Sequence, residues 1–250
     1  MTIDFAWGRP GVYALVESGC RTIVVVDVLR FTTAVDVGVS RGAAIYPYRW
    51  HDGTEHAYAK SHDAELAVKG FDVDNDHPWS LSPVGLARIP AGTKLVLPSP
   101  NGATIAFEAA ERGDVEVVAG CLRNARAVAS FLRARPDRVG VVASGEQWKP
   151  DEALRPAVED LLGAGAIIHA LDPEGRDVTP DAGAAAGAFV AMTERLEWAL
   201  LECPSGRELR GHGWDADVRA AAEHGVSECV PVLVDGCFVD GSGAAARMGE

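Results

Sequence analysis

A short polar segment follows an apolar run near the start of the chain. Residues 22–26 read Thr-Ile-Val-Val-Val, and Asp27, Arg30, Thr32 and Thr33 follow them. Such a β-branched run is typical of a strand buried on both faces of a parallel sheet, and ligands bind beyond the carboxyl ends of such strands. A carboxylate, a guanidinium and two hydroxyls that could cap the next helix would suit a metal ion and a phosphate group. The simpler alternative is an aspartate that caps the turn and an arginine that pairs with it.

Four further segments share this form, because in each an apolar run ends in small or polar residues, and the last of them, residues 203–209, contains Arg207. Side-chain oxygens there can cap a helix, and glycine lets an anion approach the backbone N–H groups. The alternative for each segment is an ordinary turn between a strand and a helix, and Asn124 in particular suits an N-cap. The candidate binding residues of these segments are Asn101, Gly102, Arg123, Asn124, Ser144 and Gly145.

An acidic pair, Glu159 and Asp160, precedes a stretch of apolar and small residues at 161–166. Acidic side chains complement the dipole at the start of a helix without any further function. A carboxylate beside a closely packed apolar face, however, is costly unless it is paired or bound to a metal. Because magnesium takes one or two carboxylates together with a substrate phosphate, the pair is a candidate metal site. Arg207, further along the chain, is a candidate anion-binding residue.

Strands and helices alternate through the first two-thirds of the chain, which predicts βαβ units. The expected fold is α/β, with three layers α/β/α around a mainly parallel or mixed sheet. One helix is predicted over 54–69 and a long Ala-rich helix over 181–201, and Asp235-Gly236 between apolar runs predicts a closing hairpin. We expect one domain over residues 1–250, and the segment 173–181, rich in Pro, Gly and Asp, is the best candidate for a boundary between two lobes.

The composition argues against several classes of protein. A formal net charge of −13 over 250 residues argues against a nucleic-acid partner, although local arginines can still bind an anionic substrate. Five cysteines without a Cys-x-x-Cys motif indicate neither a disulfide framework nor a zinc site. Without a basic leader or a membrane-length apolar run, we expect a cytoplasmic protein with no membrane partner. The helix over 181–201 suits the protein's own core or the interface of a homodimer, and the core is favoured.

Taken together, the segments resemble one family. Residues 27–33, Asp-Val-Leu-Arg-Phe-Thr-Thr, are similar to the motif DVLRATT of the magnesium-dependent 2-phosphosulfolactate phosphatases. Residues 99–103 are similar to that family's TTNGT, and residues 120–125 to its GSxxNA. Residues 159–166 resemble EDxLCAGA, and residues 203–209 resemble SxxGRxL. The matches occur in this order along the chain, so the resemblance covers nearly all of it.

This resemblance implies hydrolysis of the phosphate ester of 2-phospho-3-sulfolactate to sulfolactate and phosphate, a step toward coenzyme M. It also implies Mg²⁺ as cofactor, a small anionic phosphorylated substrate and an α/β fold peculiar to the family. Carried over by position, Asp27 is a metal ligand or nucleophile, and Glu159 and Asp160 are metal ligands or bases. The anion-binding residues that the resemblance implies are Arg30, Asn101, Arg123 and Arg207.

One segment departs from the family pattern. The family's GFDxGNSP corresponds here to residues 70–78, with Asp74 in place of glycine and Asp76 in place of serine. Additional negative charge near an anionic substrate is unfavourable unless it binds a metal or faces solvent. The departure therefore suggests that the catalytic core is kept while the substrate differs. Two alternatives to the phosphatase also stay open: a phosphate-ester-binding protein with little turnover, and a lyase on the same scaffold.

Overall fold

The computed structural model describes residues 1–49, 52–135, 138–148, 150–151 and 153–242. Strands and helices alternate along this part of the chain. The strands are β1 (Ile3–Trp7), β2 (Thr22–Val26), β3 (Ala44–Tyr48), β4 (Glu65–Leu66), β5 (Lys94–Pro98), β6 (Glu116–Gly120), β7 (Val139–Ala143), β8 (Glu146–Gln147), β9 (Leu154–Arg155), β10 (Pro231–Val234) and β11 (Cys237–Asp240). The α-helices are α1 (Gly8–Glu17), α2 (Phe31–Ser40), α3 (Thr54–Ser61), α4 (Pro83–Leu86), α5 (Gly102–Ala110), α6 (Ala125–Arg133), α7 (Val158–Leu171), α8 (Pro180–Met192), α9 (Leu196–Glu202), α10 (Pro204–Gly211) and α11 (Asp215–Ala222).

Nine of the strands form one mixed sheet in the order β1-β7-β2-β6-β10-β11-β3-β5-β4. The strands β1, β7, β2 and β6 are parallel, with Val24 opposite both Val141 and Val118. The antiparallel hairpin β10–β11 follows, and β3, β5 and β4 form a second parallel group beyond it. Because three successive pairings are antiparallel, this second group runs opposite to the first. The predicted α/β fold is confirmed, and its sheet is mixed.

The side chains of β2 build a core on each face of the sheet. Successive residues of a strand point to opposite faces. Val24 and Val26 therefore pack with α6, α7 and α8, whereas Ile23 and Val25 pack with α1, α2 and α5. The strand is buried over its whole length, as its β-branched residues predict. The helices cover both faces, which gives the three layers.

Two helix predictions were wrong in length. The helix predicted over 54–69 ends at Ser61, because Asp63 adopts a left-handed φ of 51° and Glu65–Leu66 then pairs with β5. The long helix predicted over 181–201 is interrupted by a 3₁₀ turn at Thr193–Arg195. This turn separates α8 from α9, and both helices contribute apolar side chains to the same core. The closing hairpin, by contrast, is confirmed by the antiparallel pairing of β10 with β11.

The N-terminal strand and helix, β1 and α1, were not predicted from the sequence. The strand β1 lies at the edge of the sheet beside β7. Within the segment predicted as a lobe boundary, Val178 pairs with Ile3, and the Thr179 amide donates to the Ile3 carbonyl at 2.9 Å. A division into two lobes stays a prediction. All five cysteines are free, and no helix in the described ranges has the length and apolarity needed to cross a bilayer.

Candidate active site

Four carboxylates lie close together beyond the ends of β2 and β7. They belong to Asp27, Glu146, Glu159 and Asp160, and we call them the acidic centre. Because β2 and β7 are adjacent and parallel, the residues that follow them emerge at the same edge of the sheet. Glu159 and Asp160 reach this edge from the first turn of α7. Three of the four residues are buried, with relative exposures of 6% for Asp27, 2% for Glu159 and 3% for Asp160.

Two backbone amides hold the Asp27 carboxylate. Its Oδ2 accepts from the Gly102 amide at 2.8 Å, and its Oδ1 accepts from the Phe31 amide at 3.3 Å. Position 102 requires glycine, since a Cβ there would lie 2.7 Å from Asp27 Oδ2 and 2.4 Å from Phe31 Cδ1. Four strands separate β5 from β2 in the sheet order. The start of α5 nevertheless reaches Asp27, because α2 and α5 pack in the same core.

Asp160 connects the loops that follow β2 and β7. Its Oδ1 accepts from the Val28 amide at 2.7 Å, and its Oδ2 accepts from the Gly145 amide at 2.8 Å. Gly145 adopts a left-handed φ of +66°, a conformation that glycine tolerates without strain. The carboxylate therefore fixes the geometry of both loops. Its predicted role as a metal ligand or base stays a prediction.

Two buried oxygens at the acidic centre have no hydrogen-bond partner among the residues that the structure describes. They are Glu159 Oε2 and Ser144 Oγ. The thiol of Cys203 lies beside Glu159, and burial, together with the neighbouring Glu159 charge, raises the pKa of that thiol to about 12. A buried polar atom that lacks a partner costs about 1–3 kcal/mol. The unpartnered oxygens are therefore suited to a ligand that supplies a cation or a hydrogen bond.

Glu146 is a member of the acidic centre that the sequence analysis missed. Its Oε2 accepts from Asn101 Nδ2 at 3.0 Å. Its side chain lines a cavity of about 260 Å³, which Asn101, Ser144 and Gly145 also line. The available signal was its position, because Glu146 is the third residue beyond β7, at the same edge of the sheet where Asp27 follows β2.

Burial and neighbouring charge raise the pKa of Asp27, Glu146 and Asp160. Burial, and then the charge of Glu159, raises the pKa of Asp27 to about 6. The hydrogen bonds from two backbone amides lower this pKa but do not offset the rise. Burial, and then the charge of Asp27, raises the pKa of Glu146 to about 7. The same two causes raise the pKa of Asp160 well above its ordinary value. A bound cation would relieve this repulsion.

The protein alone does not complete a metal cage within the described ranges. No three His, Cys, Asp or Glu side chains there are arranged to hold a metal ion by themselves. A cation at the acidic centre would therefore need further oxygen ligands from water or from a substrate.

Comparison with known proteins identifies the family. Residues 14–236 match the model of the family described as 2-phosphosulpholactate phosphatase. The chain belongs to this family. A protein of Methanothermobacter thermautotrophicus named 2-phosphosulfolactate phosphatase is 28% identical over 244 residues, which cover 94% of each chain. The family resemblance inferred from the motifs is thus confirmed.

Bacterial relatives match over a similar extent. A protein of Thermotoga petrophila is 27% identical over 230 residues, which cover 88% of this chain and 92% of the relative. A protein of Pseudothermotoga lettingae is 29% identical over 229 residues, which cover 86% and 91% of the two chains. Both relatives are named probable 2-phosphosulfolactate phosphatase.

In the segment that resembles the family motif DVLRATT, the two threonines bond to the local backbone. Thr32 Oγ1 donates to the Asp27 carbonyl at 2.9 Å and accepts from the Asp27 amide at 3.0 Å. Thr33 Oγ1 donates to the Val28 carbonyl at 2.7 Å. Because α2 begins at Phe31, both threonines lie within its first turn, and the expectation that they cap it was wrong. They stabilise the loop that carries Asp27, and their part in substrate binding stays a prediction.

Two predicted residues near the family motif GSxxNA interact mainly within the protein. Arg123 Nε donates to Asp36 Oδ2 at 3.1 Å, and its guanidinium also pairs with Glu223. Asn124 occupies the N-cap position of α6, as predicted, but its side chain accepts from the Cys121 amide at 2.9 Å instead of from the helix. Binding of substrate by either residue stays a prediction.

The two remaining predicted arginines differ in environment. Arg30 is largely enclosed, and its guanidinium lies near enough to Asp27 to lower the pKa of that carboxyl. Arg207 is exposed on α10 and forms no ion pair with the described part of the chain. Geometry therefore favours Arg30 as the arginine of the site, whereas a role for Arg207 stays a prediction.

The segment that departs from the family pattern directs its extra charges to solvent. Asp74 and Asp76 are both exposed. Asp74 Oδ1 accepts from the amides of Asp76 and His77 at 2.9 and 2.7 Å, and the hydrogen bond from the His77 amide is the main cause that lowers the Asp74 pKa. The turn thus uses the aspartate locally, and its charge is solvated.

Proposed function

We propose that this chain is a magnesium-dependent phosphatase that hydrolyses the phosphate monoester of 2-phosphosulfolactate or of a similar small phosphorylated hydroxy acid. The main support is the acidic centre, which lies at the carboxyl edge of β2 and β7 beside a cavity, in a chain whose family is named for this activity. The cavity has a volume of about 260 Å³, and Asn101, Ser144 and Gly145 line it together with Glu146.

The donors of the acidic centre suit Mg²⁺. They are hard oxygens, one of which, Glu159 Oε2, is buried without a partner. Asp27 and Glu159 would hold the ion, since their charges interact directly. The absence of a complete cage among the described residues agrees with the preference of Mg²⁺ for one or two carboxylates and a substrate phosphate. When bound, the ion neutralises phosphate charge and polarises the phosphorus–oxygen bonds.

The chain's own residues would position the ester and move a proton. Ser144 offers an unpartnered hydroxyl on the cavity wall. Burial, the larger cause of the raised Glu146 pKa, persists when a cation relieves the repulsion from Asp27, so this carboxyl on the cavity wall is suited to acid–base work. As water attacks phosphorus, the bond between phosphorus and the ester oxygen breaks, and Glu146 gives its proton to the departing alkoxide. The proton that the attacking water loses then restores Glu146.

A phosphate-release assay tests the proposal. The purified protein is incubated with 2-phosphosulfolactate and with 2-phosphoglycolate in ¹⁸O-labelled water, once with Mg²⁺ and once with EDTA. We expect Mg²⁺-dependent release of phosphate that contains one ¹⁸O atom. Unlabelled phosphate with an unsaturated product would instead indicate a lyase. Binding of the esters without any release of phosphate would indicate a phosphate-ester-binding protein with little turnover.

Variants test which carboxylates are required. We expect Asp27→Ala and Asp160→Ala each to lower turnover at least about a hundredfold, the scale of losing one well-placed polar group at a reacting centre. Circular dichroism checks that both variants fold. Asp114→Ala is the matched control, because Asp114 is exposed and lies outside the acidic centre. Near-normal turnover by either site variant would contradict the assignment.

A further inference from the structure

A second cavity lies beside the acidic centre and has no part in the chemistry described above. It has a volume of about 270 Å³, and its wall includes Arg30, Lys69, Gly70, Phe71 and Trp214. Pro100 lines both this cavity and the one at Glu146, so the two flank the same loop. We call the second cavity the Arg30–Lys69 pocket.

Arg30 is held in one orientation at the wall of this pocket. Its Nη1 donates to Asp217 Oδ2 at 2.7 Å, and its guanidinium carbon lies 4.4 Å from the centre of the Trp214 ring. Asp217 is itself 2% exposed and accepts from Ser82 Oγ at 2.6 Å. The guanidinium forms no other hydrogen bond with a described residue. Since arginine carries five N–H donors, the side chain keeps donors for a planar or trigonal anion.

Lys69 supplies a second positive charge at the same pocket. Its side chain is exposed and forms no ion pair or hydrogen bond within the described ranges. The neighbouring Gly70 lets Trp214 close the pocket, because a Cβ at position 70 would lie 2.6 Å from Trp214 Cζ2. Phe71 packs on the same indole, with ring centroids 4.8 Å apart. Asp217 pairs with Arg30, whereas Lys69 has no acidic partner in the described ranges, so the pocket wall carries an unpaired positive charge.

The positive charge of the Arg30–Lys69 pocket is opposite in sign to the charge of the acidic centre. The acidic centre repels an anion unless a cation is bound, whereas the Arg30–Lys69 pocket attracts one directly. A phosphorylated hydroxy acid carries a second anionic group a few bonds from its phosphate. Arg30, which follows Asp27 by three residues, lies between the two regions.

We propose that the Arg30–Lys69 pocket binds the second acidic group of the substrate, a carboxylate or a sulfonate, with Lys69 as a specificity residue and Asp217 as the positioning residue of Arg30. The proposal rests on the proposed phosphatase function. The pocket selects esters that carry an acid group, and the acidic centre acts on any phosphate placed beside it.

Steady-state kinetics with three phosphate esters test the proposal. They are 2-phosphosulfolactate, 2-phospholactate, which lacks the sulfonate, and phenyl phosphate, which lacks both acid groups. We expect Lys69→Gln to lower kcat/KM for 2-phosphosulfolactate about tenfold, mainly through KM, and to leave phenyl phosphate within about twofold. Lys60→Gln, an exposed lysine on α3, is the control. If Lys69→Gln also lowers kcat/KM for 2-phospholactate about tenfold, Lys69 binds the carboxylate. If kcat/KM for 2-phospholactate is unchanged, Lys69 binds the sulfonate.

Asp217→Asn tests the positioning role, because it keeps the shape of the side chain and removes its charge. We expect a higher KM for the two acid-bearing esters, with kcat nearly retained. A fall in kcat for all three esters alike would show a merely structural role. The pocket assignment would be overturned if Lys69→Gln lowered kcat/KM for phenyl phosphate as much as for the acid-bearing esters. It would also be overturned if Lys69→Gln left kcat/KM unchanged for both acid-bearing esters.

A binding measurement separates failure of the pocket from failure of the phosphatase. If the wild-type protein hydrolyses none of the esters, the proposed function fails, and calorimetric titration with sulfolactate still tests the pocket. We expect Lys69→Gln to bind sulfolactate about tenfold more weakly than the wild-type protein does. Equal affinities, or no binding by the wild-type protein, would reject the pocket.

Discussion

Replacement of Glu146 by glutamine should stabilise the metal-free protein at pH 8 and leave its stability unchanged at pH 4. Burial and the charge of Asp27 raise the pKa of Glu146 from 4.5 to about 7. Such a raised pKa means that the folded protein binds the proton more tightly than the unfolded chain does. Ionisation of Glu146 therefore lowers the free energy of unfolding. This loss of stability grows from about pH 4.5 to pH 7 and is complete above pH 7.

The magnitude follows from the same pKa. A rise from 4.5 to about 7 corresponds to about 3 kcal/mol. Since the side chain of Glu146 is partly exposed at the cavity, we expect solvent screening to reduce the gain to about 2 kcal/mol. Glutamine can keep the hydrogen bond from Asn101, because its amide oxygen accepts as the carboxylate does.

Urea unfolding in EDTA at pH 4 and at pH 8 measures the effect. Glu111→Gln is the matched control, because Glu111 is exposed and lies outside the acidic centre. We expect the midpoint of Glu146→Gln to exceed that of the wild-type protein only at pH 8. Saturating Mg²⁺ should reduce this difference, because the cation relieves the same repulsion. An equal midpoint at pH 8, or a lower one, would refute the electrostatic account of the acidic centre.

Three further predictions concern the same site. At pH 4, where protonation relieves the repulsion among the carboxylates, Asp160→Asn should lower the free energy of unfolding by about 1–3 kcal/mol, because an amide group cannot accept from two backbone N–H groups, and an unchanged urea midpoint would contradict this. Gly102→Ala should lower stability by about 1–3 kcal/mol and also turnover, since the new Cβ would lie 2.7 Å from Asp27 Oδ2. Gly187→Ala, a helical position with no atom within 4 Å, should instead raise the melting temperature slightly. At pH 8, Mg²⁺ should raise the melting temperature of the wild-type protein much more than it raises that of Glu159→Gln. Equal shifts of the two melting temperatures in calorimetry would exclude Glu159 as a ligand.

Local sequence patterns determined many of the elements and singled out candidate residues for the site. The β-branched run at β2 predicted a strand buried on both faces, and the alternation of patterns predicted the α/β class. These inferences succeed because the side-chain periods of strands and helices are local properties of the chain. Asp27 was singled out because it follows a buried strand, and Glu159 and Asp160 because a carboxylate beside an apolar run is costly unless it has a partner.

Local patterns failed where a distant part of the chain decides the structure. The stretch at 62–69 has helical propensity, yet Glu65–Leu66 forms β4 because an edge of β5 is available for pairing. The helix over 181–201 is interrupted because α8 and α9 both pack on the same core. Tertiary packing outweighs such weak local preferences.

The sequence alone thus determined the family and the fold class, and it singled out Asp27, Glu159 and Asp160 as candidates. Only the tertiary structure placed the hairpin β10–β11 in the middle of the sheet, brought Gly102 against Asp27 and joined Arg30 to Asp217. The physical reason is that these contacts connect residues far apart along the chain. Their geometry depends on how layers pack on both faces of one sheet, and no periodicity within a single segment encodes it.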